Sequence, residues 1–241
     1  MSEVIKKIQQ VLKDAGLYTL SVDGAWGSKS QGALDTAIQQ ANTKGNTKMQ
    51  IAWGNKVSPE FLSKVKNIVA TLGMPADTGP GDLLSCIAWE SGRTFSASVV
   101  NKAGSGATGL IQFMPATAIV YFNTPAEIAA MSDMQKKTAG LAACVTLGKM
   151  TAEEQLDYVL KYFIPYKGRI QNLGDLYMGI LYPKAIGKPD DYALFTDGTT
   201  AYRQNAGIDL NKDGQVTRAE CLVKILAMKQ EGLQPGNVLA A

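Results

Sequence analysis

Apolar residues recur at helical spacing along most of the chain. Val4, Ile8, Val11 and Leu12 fall on one helical face, and Ala33, Leu34, Ala37, Ile38 and Ala41 outline a second helix. Between them lies a turn-forming stretch, Asp23-Gly24-Ala25-Trp26-Gly27. From Asn42 to Lys56 the chain is polar and rich in turn formers apart from Ile51 to Trp53, which reads as a linker. Ser58-Pro59 then opens a helix with a cap and a first-turn proline. Phe61, Leu62, Val65, Ile68, Val69 and Leu72 form its apolar side, and Gly73 ends it. Thr124 with Glu127, Ser132 with Gln135 and Thr151 with Glu154 have capping-box spacing, and no stretch sustains the alternation of a strand. The pattern predicts a mainly α protein, with a small helical domain and linker over residues 1–56 and a larger helical domain over 57–241.

One acid sits where the spacing calls for an apolar residue. Leu83, Ile87 and Glu90 fall at i, i+4 and i+7, so a helix here carries a carboxylate on the face of its leucine and isoleucine, one turn beyond Cys86. Gly92 is placed to stop that helix, which leaves Glu90 in the last turn, at the negative end of the helix dipole. Apolar neighbours and the dipole both disfavour ionisation, so the expected pKa is raised towards the range of a general acid near neutral pH. The plainer alternative is a core-edge glutamate paired with an Arg or Lys, or a solvated helix end.

Glu90-Ser91, a spacer, then Gly106-Ala107-Thr108-Gly109-Leu110-Ile111-Gln112-Phe113-Met114-Pro115 and Ala116-Thr117-Ala118 resemble the signature of the lytic transglycosylases and goose-type lysozymes, ES followed by GAxGLxQxMPxTA. The resemblance implies a lysozyme-like catalytic domain that cleaves the glycan strands of peptidoglycan. Glu90 would be its acid and base, with Ser91, Gln112 and Met114 along the glycan groove. Ala103 stands where the family often has serine. The stretch Ala201-Tyr202-Arg203-Gln204-Asn205-Ala206-Gly207 is similar to the AYNxG segment that faces the acid in this family, with two extra residues, and makes Tyr202 the expected partner of Glu90. Gly104-x-Gly106-x-x-Gly109 also has the form of a dinucleotide fingerprint, but a helix and a polar loop precede it instead of a strand. A loop passing close to a ligand or another backbone explains those glycines better.

The N-terminal segment resembles the peptidoglycan-binding domain of wall hydrolases. Ile8-Gln9, Val22-Asp23-Gly24, Trp26-Gly27 and Ala33-Leu34 fit its LQ helix, VDGxxG loop and second helix. Asp23, Gly24, Trp26 and Gly27 are therefore the expected wall-binding residues, the alternative being a helical hairpin that only caps the larger domain. Towards the C-terminus, residues 209–220 fit the EF-hand loop pattern D-x-N-x-D-G-x₅-E. Asp209, Asn211, Asp213, the carbonyl of Gln215 and Glu220 would supply oxygens to calcium, with Gly214 at the sharp turn. The same residues are accounted for without metal by a Thr217–Glu220 capping box on a final helix, Ala219 to Lys229, and by an Asp-Gly turn; no incoming helix is evident before Asp209. Calcium, where bound, is expected to be a structural clip, and no cofactor is required.

Composition narrows the chemistry. No histidine occurs among the 241 residues, which removes Ser-His-Asp and Cys-His nucleophile systems and His-ligated zinc, and leaves carboxylates. Glu127, Asp133, Glu153 and Glu154 read as first-turn acids favoured by helix dipoles rather than as a second catalytic carboxylate. Tyr158, Tyr162, Tyr166, Tyr177, Tyr182 and Tyr192 read as core or groove-edge packing. Cys86, Cys144 and Cys221 are odd in number and far apart, so buried thiols are expected rather than a disulfide framework. A net charge of +3 suits an anionic wall and is too small to point to nucleic acid. With no apolar leader at the N-terminus and no membrane-length stretch, the expectation is a monomer made in a host cytoplasm and released to the periplasm and wall through a holin, as in the phage endolysins whose module order it resembles.

The expected reaction is lytic transglycosylation, in which the muramic acid's own 6-hydroxyl attacks the anomeric carbon and no second carboxylate need hold a water. The alternatives are a goose-type lysozyme that hydrolyses the same bond, and a wall-binding or virion protein whose acid is idle.

Overall fold

The computed structural model describes residues 2–43 and 49–240; the side chain of Ala41 and residues 44–48 of the expected linker lie outside them. In chain order the elements are α1 (Ser2–Asp14), α2 (Ser28–Thr43), β1 (Gln50–Ile51), α3 (Pro59–Leu72), α4 (Gly79–Glu90), α5 (Pro115–Ala118), α6 (Pro125–Ala130), α7 (Asp133–Gly148), α8 (Ala152–Phe163), α9 (Leu173–Leu181), β2 (Ala193–Thr196), α10 (Thr200–Asn205), β3 (Gln215–Thr217), α11 (Arg218–Gly232) and β4 (Leu239–Ala240). The chain is mainly helical. Among the described residues the strands form two antiparallel pairs, β1 with β4 and β2 with β3, too short to leave an alternating signature in the sequence. None of the described helices is long and apolar enough to cross a membrane. Two compact units result, one of residues 50–186 and 225–241 and one of residues 1–49 and 187–224.

The larger unit is built on α4. Every residue from Gly79 to Ala88 is buried, so α4 is a core helix rather than the one-sided amphipathic helix that the Leu83/Ile87 spacing suggested. Helices α3 and α9 both pack on it, and α3 also packs on α8. The approach of α3 to α4 requires a glycine: a Cβ on Gly79 would lie 2.6 Å from Cγ1 of Val69. The expected caps form. Ser58 Oγ accepts from the Phe61 N–H at the start of α3, and reciprocal capping boxes open α6, α7 and α8.

The expected linker ends earlier than its polar composition suggested. Ile51, Ala52 and Trp53 are almost fully buried, and Gln50 and Ile51 pair with Ala240 and Leu239. Trp53 Nε1 donates to the Met228 carbonyl at 3.0 Å, and Asn55 N donates to the Asn237 carbonyl at 3.0 Å. The apolar triplet that interrupted the polar stretch is thus the anchor for the chain's last seventeen residues in this unit, 225–241. The second half of α11 is also fastened here, through Lys229 Nζ 2.6 Å from Asp82 Oδ1 and a bidentate pair between Arg93 and Glu231.

In the smaller unit α1 and α2 meet around Leu12, Tyr18 and Ala33, with Ile8, Leu17, Leu34 and Ala37 against them. The buried stripe of α1 is Ile5, Gln9 and Leu12, while Val4 and Val11 are exposed. The shift from the expected stripe has a polar cause: Gln9 is fully buried as a hub. Its Nε2 lies within hydrogen-bond reach of Asp23 Oδ1, the Ala25 carbonyl, Tyr18 Oη and Ser30 Oγ, and its Oε1 accepts from Gly24 N. Residues 187–224 belong to this unit and not, as expected, to the larger domain. Within them β2 pairs with β3, and α10 followed by a 3-10 turn at Ala206–Ile208 leads directly into Asp209. The 209–220 loop therefore does have an incoming helix, short enough to escape detection by periodicity.

Asp82 is 3% exposed on its side chain. Burial pushes its carboxyl above the ordinary range, and Lys229 offsets part of that shift. Lys229→Met should lower the unfolding free energy by about 3 kcal/mol, because it leaves a buried carboxyl without its cation. Asp82→Asn combined with Lys229→Met should recover much of that loss. Urea denaturation of the two variants checks both statements.

Candidate functional site

Glu90 closes α4. Ser91 caps the helix, its N–H donating to the Ile87 carbonyl at 2.9 Å, and Gly92 follows at φ 61°. Burial of the preceding turns carries the Glu90 side chain into an apolar setting, while its position at the helix end leaves it partly open. No described residue pairs with it by hydrogen bond or ion pair. Burial pushes its carboxyl up from 4.5 to about 7. Lys229 of α11 and Arg93 of the loop after α4 are engaged elsewhere, with Asp82 and Glu231.

Around Glu90 the larger unit gathers tyrosines. The charge of Glu90 is felt at Tyr162, whose hydroxyl is raised above its ordinary range chiefly by burial and then by Tyr166, Tyr121 and Glu90. Tyr121 is pushed up to about 12, again by burial first. Phe113 joins them, edge-on to both Tyr121 and Tyr162 with centroids 6.0 and 6.1 Å apart. The Tyr162 hydroxyl donates to the Gly179 carbonyl at 3.0 Å, which fixes the ring. Tyr121 was not singled out from the sequence. Tyr162 and Tyr166 were read as packing, although Tyr158, Tyr162 and Tyr166 recur at i, i+4 and i+8 as one helical face would have them.

The signature loop is folded by a buried amide. Gln155, fully buried on α8, accepts from Leu110 N at 2.7 Å and donates to the carbonyls of Leu147 and Ala97. Gly109 has φ 87°, and a Cβ there would collide with the Gln155 carboxamide, so both space and backbone demand glycine. Thr108 and Phe113 exchange backbone hydrogen bonds across the turn, and Gln112 adopts φ 52°. The Gln112 side chain folds back onto the carbonyls of Val99 and Gly109. Met114, 49% exposed, stands clear of the loop. Ser91 is buried and its Oγ accepts from Phe95 N, which makes it a brace for the turn after the acid.

Tyr202 belongs to the smaller unit. Its hydroxyl donates to Asp209 Oδ2 at 2.6 Å, a bond that pushes it up to about 12 and holds Asp209 below the ordinary carboxylate range. Within the larger unit, Tyr162 feels the charge of Glu90. Glu127 and Glu154 serve in capping boxes, and Glu153 accepts from Ser58 Oγ.

In the smaller unit, Asp23 is held ionised by the Ala25 N–H and by Gln9. Gly24 has φ 79°, and Trp26 Nε1 donates to Gln31 Oε1. Asp23, Gly24, Trp26 and Gly27 all line one cavity of about 540 Å³. The 209–220 loop has the backbone of a cation-binding turn: Lys212 and Gly214 sit at φ 60° and 85°, and Asp209, Asn211 and Asp213 each accept a loop N–H. Glu220 instead accepts from Leu210 N and caps α11 through Thr217. Among the described residues no three acidic or thiol side chains converge as metal ligands. The backbone thus fits an oxygen-bound ion while the carboxylates are turned to internal donors. The cysteines are all free and buried.

A glutamate raised to about 7 binds more protons in the folded than in the unfolded state between pH 4.5 and 7. Stability should therefore fall as pH rises through that window, by at most about 3 kcal/mol. Glu90→Gln removes this cost. The variant should match the parent near pH 4 and exceed it above pH 7, as followed by thermal melts across pH.

Compared with known proteins, the chain matches no family model and no curated sequence.

Proposed function

We propose that the larger unit cleaves the β-1,4 bond between N-acetylmuramic acid and N-acetylglucosamine in peptidoglycan, as a lytic transglycosylase of endolysin type with Glu90 as its acid and base. The observation that carries this reading is the state of Glu90, a half-buried acid with no ionic partner among the described residues, raised to about 7, at the ES position of the signature segment. A carboxyl half protonated near neutral pH is suited to give a proton to the glycosidic oxygen and then take one back. In the first step that oxygen accepts the Glu90 proton and its bond to the anomeric carbon breaks. In the second, the 6-hydroxyl of the same muramic acid bonds to that carbon and its proton passes to Glu90. Internal attack by the 6-hydroxyl needs no second carboxylate to hold a water. Tyr162, near enough to feel the Glu90 charge, puts aromatic surface on the same side of the unit.

The smaller unit is assigned to wall binding through Asp23, Gly24, Trp26 and Gly27. Tethering raises local substrate concentration without touching the chemistry. Release to the wall from a host cytoplasm, monomeric and without nucleic acid or membrane insertion, completes the proposal. The 209–220 loop is proposed to hold a structural calcium ion through Asp209, Asn211, Asp213, the Gln215 carbonyl and Glu220, with Glu220 swinging from its capping role.

Glu90→Gln should reduce wall cleavage by a factor of about 10²–10⁴ while leaving folding and wall binding near parental. Mass spectrometry of products released by the parent should find 1,6-anhydromuramic ends; reducing ends one water heavier would assign a hydrolase of the goose-type lysozyme class. For the loop, millimolar calcium should raise the melting temperature over a chelator-treated sample, and Asp213→Asn with Glu220→Gln should abolish the difference. Identical melts with and without calcium would assign the loop to the metal-free capping arrangement.

A further inference from the structure

Helix α7 leaves part of its apolar surface outside the fold. Its inner side packs on α5 and buries Gly140, Ala143, Cys144 and Leu147. On its outer side Met134 is 72% exposed, Val145 56% and Leu141 40%. At about 100° per residue these three fall within about 40° of one another, as one stripe along the helix. Lys137 and Lys149, both exposed, stand about 60° to either side of that stripe. Thr138, Ala142 and Thr146 fill the rest of the outer face, which therefore holds no acid.

A single apolar side chain at a surface is ordinary. What sets this face apart is that its stripe is flanked by one sign of charge. From residue 97 to residue 149 the chain carries Lys102, Lys136, Lys137 and Lys149 against two acids, Glu127 and Asp133. Glu127 is tied into the capping box of α6. Asp133 stands in the first turn of α7, about 100° round the helix from Met134. No described carboxylate forms an ion pair with any of the four lysines. Lys102 belongs to the same side of the unit: a Cβ on Gly106 would lie 2.6 Å from Leu141 Cδ2, so the loop at 101–106 rests against α7.

Three kinds of occupant answer this face differently. A purely polyanionic chain would satisfy the lysines and leave Met134, Leu141 and Val145 in water. A second copy meeting the face about a two-fold axis would bring lysines against lysines. The boundary between anionic headgroups and acyl chains meets both requirements. The apolar stripe enters that boundary, and the lysines, whose stems lie along apolar surface, reach phosphates on both sides of it. We propose that the outer face of α7 docks the larger unit on a bilayer of anionic phospholipid. The contact is reversible and lies on the surface, since three side chains bury far less than a spanning helix. It goes beyond the cleavage reading and does not depend on it.

The test is co-sedimentation of the full chain with vesicles of phosphatidylglycerol and phosphatidylethanolamine, and with vesicles of phosphatidylcholine alone. The neutral vesicles should bind about tenfold more weakly. Lys137→Gln with Lys149→Gln should weaken binding to the anionic vesicles about tenfold, and Met134→Gln with Val145→Gln about fivefold or more. Melting temperatures of both variants should stay near parental, because all four side chains are exposed. Equal binding to the two kinds of vesicle, or no binding to either, would overturn the proposal. Undiminished binding by the Met134→Gln, Val145→Gln variant would also overturn it, since the lysines would then act without the stripe. In sedimentation velocity without lipid, a concentration-dependent dimer that is lost in the same variant would assign the face to a second copy instead.

Discussion

The larger unit depends on one desolvated carboxylate. Helix α4 is enclosed on all sides until its last turn, so the side chain that follows Ala88 and Trp89 emerges from a core rather than from a surface. An ionised group there would ordinarily be matched by a cation. Two cations of this unit are already taken, Lys229 by Asp82 two turns earlier on α4 and Arg93 by Glu231. Cys86, fully buried between the two acids on α4, feels the charge of both. The helix thus carries two buried acids in opposite states, Asp82 compensated and Glu90 not. The uncompensated one is the one left partly open, and an uncompensated acid persists only where the rest of the unit is stable enough to bear it.

Both units use the same device to shape a loop, a glutamine with no exposure. Gln155 holds the glycine turn of the signature loop and Gln9 holds the Asp23–Gly27 loop, each through several hydrogen bonds to backbone or side-chain atoms. A buried amide with its bonds satisfied fixes a loop more sharply than apolar packing, because leaving any of those bonds unmade costs the desolvation of the polar group. The rigidity of the two candidate sites therefore traces to residues that lie behind them.

Much of this was legible in the sequence. The caps at Ser58, Thr124, Ser132 and Thr151 form as their spacing dictates, since a cap is a local bond whose partners lie three residues apart. The raised state of Glu90 was also readable, with burial as its cause. What could not be read were features made by distant segments. The pairing of Ile51 with Leu239, the capture of Trp53 by Met228 and the grouping of residues 187–224 with the N-terminus all depend on contacts far apart in sequence. The bond of the Tyr202 hydroxyl to Asp209, seven residues on, was likewise not legible in the local string. In α1 the polar Gln9 displaced the apolar stripe, because periodicity assumes that only apolar side chains point inward.

The central claim is that Glu90 is protonated in about half the molecules at neutral pH because its surroundings are dry and without a cation. Carbon-13 NMR of the side-chain carboxyl, assigned by loss of its signal in Glu90→Gln, measures this directly as pH is varied. A titration midpoint near 7 is the result expected here. A midpoint near 4.5, the ordinary glutamate value, would mean that water or a cation reaches the carboxylate and that it is not held as an acid.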